Sequence, residues 1–228
     1  MIYLFLSIIS SSVIFLIFKQ FKKYNINSLQ AIVINYSVCI VLGIVLTKNN
    51  SDLLVLVNNV PVFVFSLFLG GIFIFCFSLI SSSSQRIGAA VTAIAAKISM
   101  IIPVLFAYFF LEESLSLYRW GGILLAIASI FLLSPQGSLK KIKNLWIYFL
   151  PFLVFFTGGV LDTTVKVLQT HYLENHQFAP FLSLVFTFAF IIGIIIILTR
   201  YILKNESFSY KNLVAGLILG FPNYCSVY

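Results

Sequence analysis

The stretch Gly88–Gly122, GAAVTAIAAKISMIIPVLFAYFFLEESLSLYRWGG, decides how this chain is read. It is long and apolar enough to cross a bilayer, which needs about 20 such residues. Yet Lys97 stands near its middle, Pro103 interrupts it, and Glu112 and Glu113 close it. Lysine at the centre of a membrane helix costs roughly 2.5–3.5 kcal/mol on insertion scales. A bilayer protein that tolerates a lysine at that depth uses it, either to hold its own bundle together or to meet something that passes through.

The rest of the chain has the same character. Of its 228 residues 61% are hydrophobic and only 9% charged, with 25 phenylalanines. Soluble domains carry about 25% charged residues, so a globular water-soluble class is excluded. Apolar runs recur at about 2–18, 29–47, 60–80, 88–111, 118–134, 145–169, 178–199 and 212–228, giving eight expected spans of an all-α, polytopic membrane protein. The longest connection is about a dozen residues around Lys48 to Asn59, which leaves no room for a soluble domain. The first run is not a cleavable signal peptide, because no basic region precedes it and Lys19 and Phe21 follow directly.

The net charge of +8 does not point to nucleic acid, because the basic residues lie in short clusters between apolar runs. Lys19, Lys22, Lys23, Arg86, Lys140, Lys141, Lys143, Arg200, Lys204 and Lys211 fall on one side of the expected topology; Lys48, Arg119 and Lys166 fall on the other. The positive-inside rule puts the first set in the cytoplasm and the N-terminus outside. Cys39, Cys76 and Cys225 all lie in apolar runs, without disulfide or metal spacing. His171 and His176 sit in a loop without acid or cysteine at ligand spacing, so neither metal nor cofactor is expected.

The chain echoes itself. SSSVIFLIFK ending at Lys19 resembles TGGVLDTTVK ending at Lys166. IVLGIVL around Gly43 matches FIIGIII around Gly193, and SLFLGG around Gly70 matches GLILGF around Gly220. The offsets stay near 150 residues, which argues for a duplication with a first unit at 1–135 and a second at 145–228. A unit of five helices is odd, so its second copy must enter the membrane inverted. That is the plan of many secondary transporters, with the substrate site near the midplane between the halves.

The run from Ala89 to Leu133 resembles the EamA-type domain of the drug/metabolite transporter superfamily. The likeness is carried by an alanine-rich helix start, Pro103 followed by apolar and aromatic residues, Leu111 and Glu113, Leu115 and Ser116, and Gly122 nine residues after Glu113. The resemblance implies ten helices in two five-helix repeats, moving small organic solutes or metabolites across the inner membrane. Against that pattern the chain stops at Tyr228, level with Ser78 of the first copy, so the second repeat is expected to be incomplete. Relatives are generally described with a cytoplasmic N-terminus, opposite to the charge count here.

Individual residues carry two readings each. Lys97 serves either as a structural donor in the bundle or as a ligand for an anionic or carbonyl group of the substrate, or as a site whose charge state gates transport. Asp162, deep in the sixth span, is either neutralised by Lys166 four residues on or faces a central cavity as a partner of Lys97 or as a proton or cation site. Helix one has Phe15 at the equivalent position, which argues against proton antiport through an acid in that helix. The patches Ser10–Ser12 and Thr157–Gly159 either permit close helix crossing or line a polar cavity, with Ser12 the candidate on the first span. Asn223 after Pro222 is expected in an unwound or kinked region with freed backbone groups. Glu112 and Glu113 suit the start of the following helix, whose dipole favours carboxylates, and Arg119 could pair with Glu113. Phe63, Phe65, Phe68, Phe73, Phe75 and Phe77 suit an apolar or aromatic solute and lipid contact equally.

The expected partners are therefore a small-molecule solute, the lipid bilayer and, as an open option, a second copy of the chain. Two other function classes stay open: an inert, truncated membrane protein, and an integral membrane enzyme. The second would need a carboxylate cluster, histidine set or metal motif at the interface, and the sequence offers none.

Overall fold

The structure is a computed structural model that describes residues 2–47, 51–110, 116, 118, 120–122, 124–125, 145–204 and 206–227. Over these residues the chain is all helix: α1 (Ile2–Lys23), α2 (Ser28–Leu46), α3 (Ser51–Asn58), α4 (Val60–Arg86), α5 (Ala89–Ile98), α6 (Ile101–Phe110), α7 (Leu145–His171), α8 (Phe178–Lys204) and α9 (Tyr210–Val227). The expected fifth span at 118–134 lies mostly outside the described residues, as do Glu112, Glu113 and Arg119.

Local chemistry sets the helix ends. Asn27 caps α2 by accepting from the amides of Leu29 at 3.1 Å and Gln30 at 3.4 Å. Asn59 caps α4 in the same way, with Pro61 in the first turn where its missing N–H costs nothing. Gly88 joins α4 to α5 at φ +128°, a conformation that a Cβ would strain. The connection 48–59, read from sequence as a loop, contains α3, an eight-residue helix that packs against α8 and α4.

Five helices among the described residues are long and apolar enough to cross a membrane: Ser28–Leu46, Val60–Arg86, Ala89–Phe110, Phe149–His171 and Phe178–Leu203. Two further long helices complete the described bundle. α1 ends in lysines, and α9 carries Lys211, Asn212 and Asn223, which lowers its mean hydropathy. The distribution of side chains is that of a protein in lipid. Val41, Val45, Val64, Phe68, Phe75 and Ile195 are exposed, whereas Gln30, Asn35, Ser66, Thr92 and Asn223 are buried. A water-soluble monomer does not leave so large an apolar surface uncovered.

The core is aromatic where α1, α2, α4 and α8 meet. Phe73 stands edge-on to Phe186, Tyr36 stacks on Phe186, and Phe18 meets Phe77, with ring centroids 5.2–6.0 Å apart. The phenylalanines of α4 divide by face: Phe73 and Phe77 turn inward, while Phe63, Phe68 and Phe75 turn outward.

Glycines set the helix crossings. Gly43 of α2 lies against Ser183 of α8, and Gly193 of α8 lies against Val33 of α2, each too close to admit a Cβ. Residue numbers rise on α2 as they fall on α8, so the two helices run antiparallel. Gly70 of α4 meets the backbone nitrogen of Ala189 and Cβ of Phe188, both on α8, and Gly220 of α9 meets Val38 on α2. Each contact recurs when 150 is added to or subtracted from both residue numbers: 43 with 183 becomes 193 with 33, and 70 with 188 becomes 220 with 38.

The two ends of the bundle are tied differently. At the end with Lys22, Lys23 and Lys211, the Asn27 amide donates to Asn212 at 3.0 Å, and the Asn212 carboxamide donates to Gln30 at 2.6 Å. Gln30 also donates to the Ser207 carbonyl at 3.2 Å, and Gln85 donates to Ser28 at 2.8 Å. At the other end Asp52, in the first turn of α3, stands 3.8 Å from His176 between α7 and α8.

Candidate functional site

The site begins with a broken helix. α5 and α6 together make one membrane-length segment, but the α-helical ladder stops at Ser99–Met100. Pro103 is the cause. It has no N–H to return to the Ser99 carbonyl, and its ring crowds that oxygen. Tighter bonds take over, from Met100 to the Lys97 carbonyl at 3.3 Å and from Ile102 to the Ser99 carbonyl at 3.0 Å. α7 presses on the break through two glycines: Gly158 against Ser99, and Gly159 against Ile102.

Lys97 occupies the last turn of α5, where the helix dipole favours a cation. Its ammonium donates to the Ser11 hydroxyl at 3.0 Å, and that hydroxyl in turn donates to the Ser7 carbonyl at 2.7 Å. The lysine therefore reaches across to α1 and is held at a fixed point.

Lys97, Ser11 and Asp162 line one cavity of about 160 Å³, walled by Phe73, Phe77 and Val154. The opposite charges of Lys97 and Asp162 attract one another across it. Asp162 also lines a second, larger cavity of about 470 Å³, together with Pro103, Lys166 and Gln169. Both cavities share Leu161, Asp162, Ser226 and Val227, so the acid stands on their common wall. The lining of the larger one runs out to Gln169 and Phe178, toward the end of the bundle away from the lysine cluster.

The candidate residues separate in space. Lys97 and Asp162 come together, and Pro103 lines the larger cavity beside them. Ser12 does not join them: its side chain is exposed and bonds the Ile8 carbonyl of its own helix at 2.8 Å. One residue back, the buried Ser11 makes the contact. Asn223 lines neither cavity. α9 continues as a helix through Pro222 to Val227, contrary to the expected unwinding. Asn223 is wholly buried, and its amide nitrogen donates to Asn35 on α2 at 2.8 Å, a partner across the helix interface for that nitrogen. Gly122 is helical with open space around it, and Glu113 lies outside the described residues.

Sequence reasoning missed Ser99 and Asn35. Ser99 sits four residues before the proline, where a break belongs. Asn35 is an amide in the middle of the apolar run of α2, a signal that it needs a buried partner. Thr163 and Thr164 bond carbonyls of their own helix. Among the described residues no group of three or more histidines, cysteines or acids could hold a metal ion.

The family model described as the EamA-like transporter family matches residues 1–134, more than half of the chain. The chain belongs to the EamA-like transporter family. It is therefore a multi-pass membrane transporter of the drug/metabolite type, and its membership is of a transporter family rather than of an enzyme family. An uncharacterized protein of Haemophilus influenzae is 24% identical to this EamA-like chain over 231 residues, covering 98% of the chain and 76% of the relative. No solved structure matches it.

Proposed function

We propose that this EamA-like protein is a secondary transporter that moves small organic solutes or metabolites across the inner membrane, with Lys97, Asp162 and Ser11 forming the solute-contacting site. The observation that carries this reading is the pair of opposite charges facing one cavity beside a break in a membrane helix. Intramembrane charges are costly and mark substrate or ion pathways. Broken helices supply free backbone groups and helix ends to such sites.

The transporter works by alternating access between two inverted repeats, 1–135 and 145–228. The exchange of contacts at an offset of 150 residues and the antiparallel course of α2 and α8 support that division. The larger cavity is the vestibule through which solute reaches Lys97. Polar ties at the lysine-rich end form the closed gate on the far side.

The test is uptake and efflux of a metabolite panel in cells expressing the protein, comparing wild type with Lys97→Met at matched membrane abundance. Loss of one charge-assisted hydrogen bond predicts a transport rate lower by roughly tenfold or more. Unchanged transport by the variant removes Lys97 from the site.

A further inference from the structure

A third hollow shares no lining residue with the two cavities and takes no part in the transport reading. It is an open groove of about 450 Å³ on the outer surface, between the end of α1 and the start of α9. Ile17, Val214 and Ile218 line it deeper along the helices, and Gln20, Tyr24, Ile26, Tyr210 and Lys211 line it nearer the helix ends. Lys22 and Lys23 close α1 beside it, with the Lys23 ammonium 5.6 Å from the centre of the Tyr24 ring.

We propose that this groove binds an anionic phospholipid, with one acyl chain along Ile17, Val214 and Ile218 and the phosphate at Lys211, Lys22 and Lys23. Three features support that occupant. The polarity runs along the helices: charge and tyrosine at the bundle end, apolar side chains deeper in. From Tyr24 to Ile17 and from Tyr210 to Ile218 the groove runs roughly 10–12 Å at 1.5 Å per residue, against about 15 Å for the hydrocarbon of one leaflet. Tyrosines sit at the depth of lipid headgroups, and clustered lysines attract anionic lipid.

Charge also argues against a second copy of the chain as the occupant. In one bilayer, a two-fold contact through this face would bring Lys22, Lys23 and Lys211 of both copies together. Like charges at an interface discriminate against that pairing. Tyr24, Tyr210 and Ile218 are all more than half exposed, so the groove is open to the bilayer.

Native mass spectrometry of the purified full chain, equilibrated with equal amounts of phosphatidylglycerol and phosphatidylcholine, tests the site. Phosphatidylglycerol should be retained at least about fivefold more than phosphatidylcholine, the selectivity of one lysine near an anionic surface. Lys211→Gln should reduce that preference about fivefold. Ile218→Trp, at an exposed position, should fill the groove and lower phosphatidylglycerol retention without unfolding the protein. Equal retention of the two lipids overturns the proposal, as does unchanged retention in either variant. A dimer that Ile218→Trp dissolves would identify a second copy as the occupant and overturn it equally.

Discussion

The Lys97 ammonium stands 3.0 Å from the Ser11 hydroxyl, joining the end of a broken helix to the first helix of the chain. The contact resolves how a bilayer protein keeps a lysine at this depth. One proton of the ammonium is hydrogen-bonded, an acid answers its charge across the cavity, and the side chain stays accessible to whatever enters. A lysine used only as structural glue would be sealed by its partners.

Ser11 and Ser12 should differ sharply. Ser11→Ala removes the acceptor for Lys97 and should lower apparent solute affinity by roughly tenfold or more, about the worth of one hydrogen bond to a charged group. Ser12→Ala removes a bond within one helix on an exposed face and should stay within about twofold. Concentration-dependent transport in membrane vesicles measures both. Equal effects of the two would remove Ser11 from the lysine's anchorage.

Pro103→Ala should restore an amide able to bond the Ser99 carbonyl and so mend the ladder between α5 and α6. Interior proline costs a helix about 3 kcal/mol, so the variant should melt at a higher temperature. Transport should fall, because Lys97 would no longer end a helix. Thermal unfolding in detergent and transport are expected to move in opposite directions; a parallel change would count against the break as part of the site.

Gly70 and Gly71 are neighbours with different surroundings. A Cβ on Gly70 would stand 2.8 Å from the backbone nitrogen of Ala189, which cannot give way cheaply, whereas on Gly71 it would find only the Ile192 Cδ1 at 4.0 Å. Gly70→Ala should destabilise by about 1–3 kcal/mol. Gly71→Ala should be neutral or stabilise by up to about 1 kcal/mol, because alanine favours a helix. Unfolding in mixed micelles read by circular dichroism separates them.

Asn223→Ala leaves the buried Asn35 carboxamide without its partner on α9 and should cost about 0.6–1.7 kcal/mol, the range for hydrogen bonds between membrane helices. Asn35→Ala should cost a similar amount. The double variant should cost less than the sum, because the two residues share one bond. Strict additivity in that cycle would show that the pair is not coupled.

Composition alone made the membrane class legible, because no soluble chain hides this many apolar residues. The break at Ser99–Met100 was legible in part: Pro103 announces it, but the disturbance falls at the carbonyl four residues earlier. The choice between Ser11 and Ser12 was not legible. Adjacent residues on a helix point about 100° apart, and rotation is fixed only by the packing of Phe15 and Phe18 into the core. For Asp162 the sequence named both Lys97 and Lys166 as neighbours, and what it could not give was the cavity that Asp162 shares with Lys97, since a cross-helix neighbour is not visible in one dimension. Asn223 was misplaced for a similar reason: the proline beside it suggested unwinding, while its partner lay 188 residues away on α2.

The crossing of α2 and α8 carries a mechanical consequence. The helices are in tight contact at two points, Gly43 with Ser183 and Val33 with Gly193, ten residues or about 15 Å apart along each axis. A pair touching at one point can scissor about it, but a pair pinned at two cannot without opening one of the pins. α2 and α8 therefore form a stiff spar through the protein. In the alternating-access cycle proposed above, the swing is therefore expected in the elements hung on that spar, the broken α5–α6 segment and the α7 face that leans on its break.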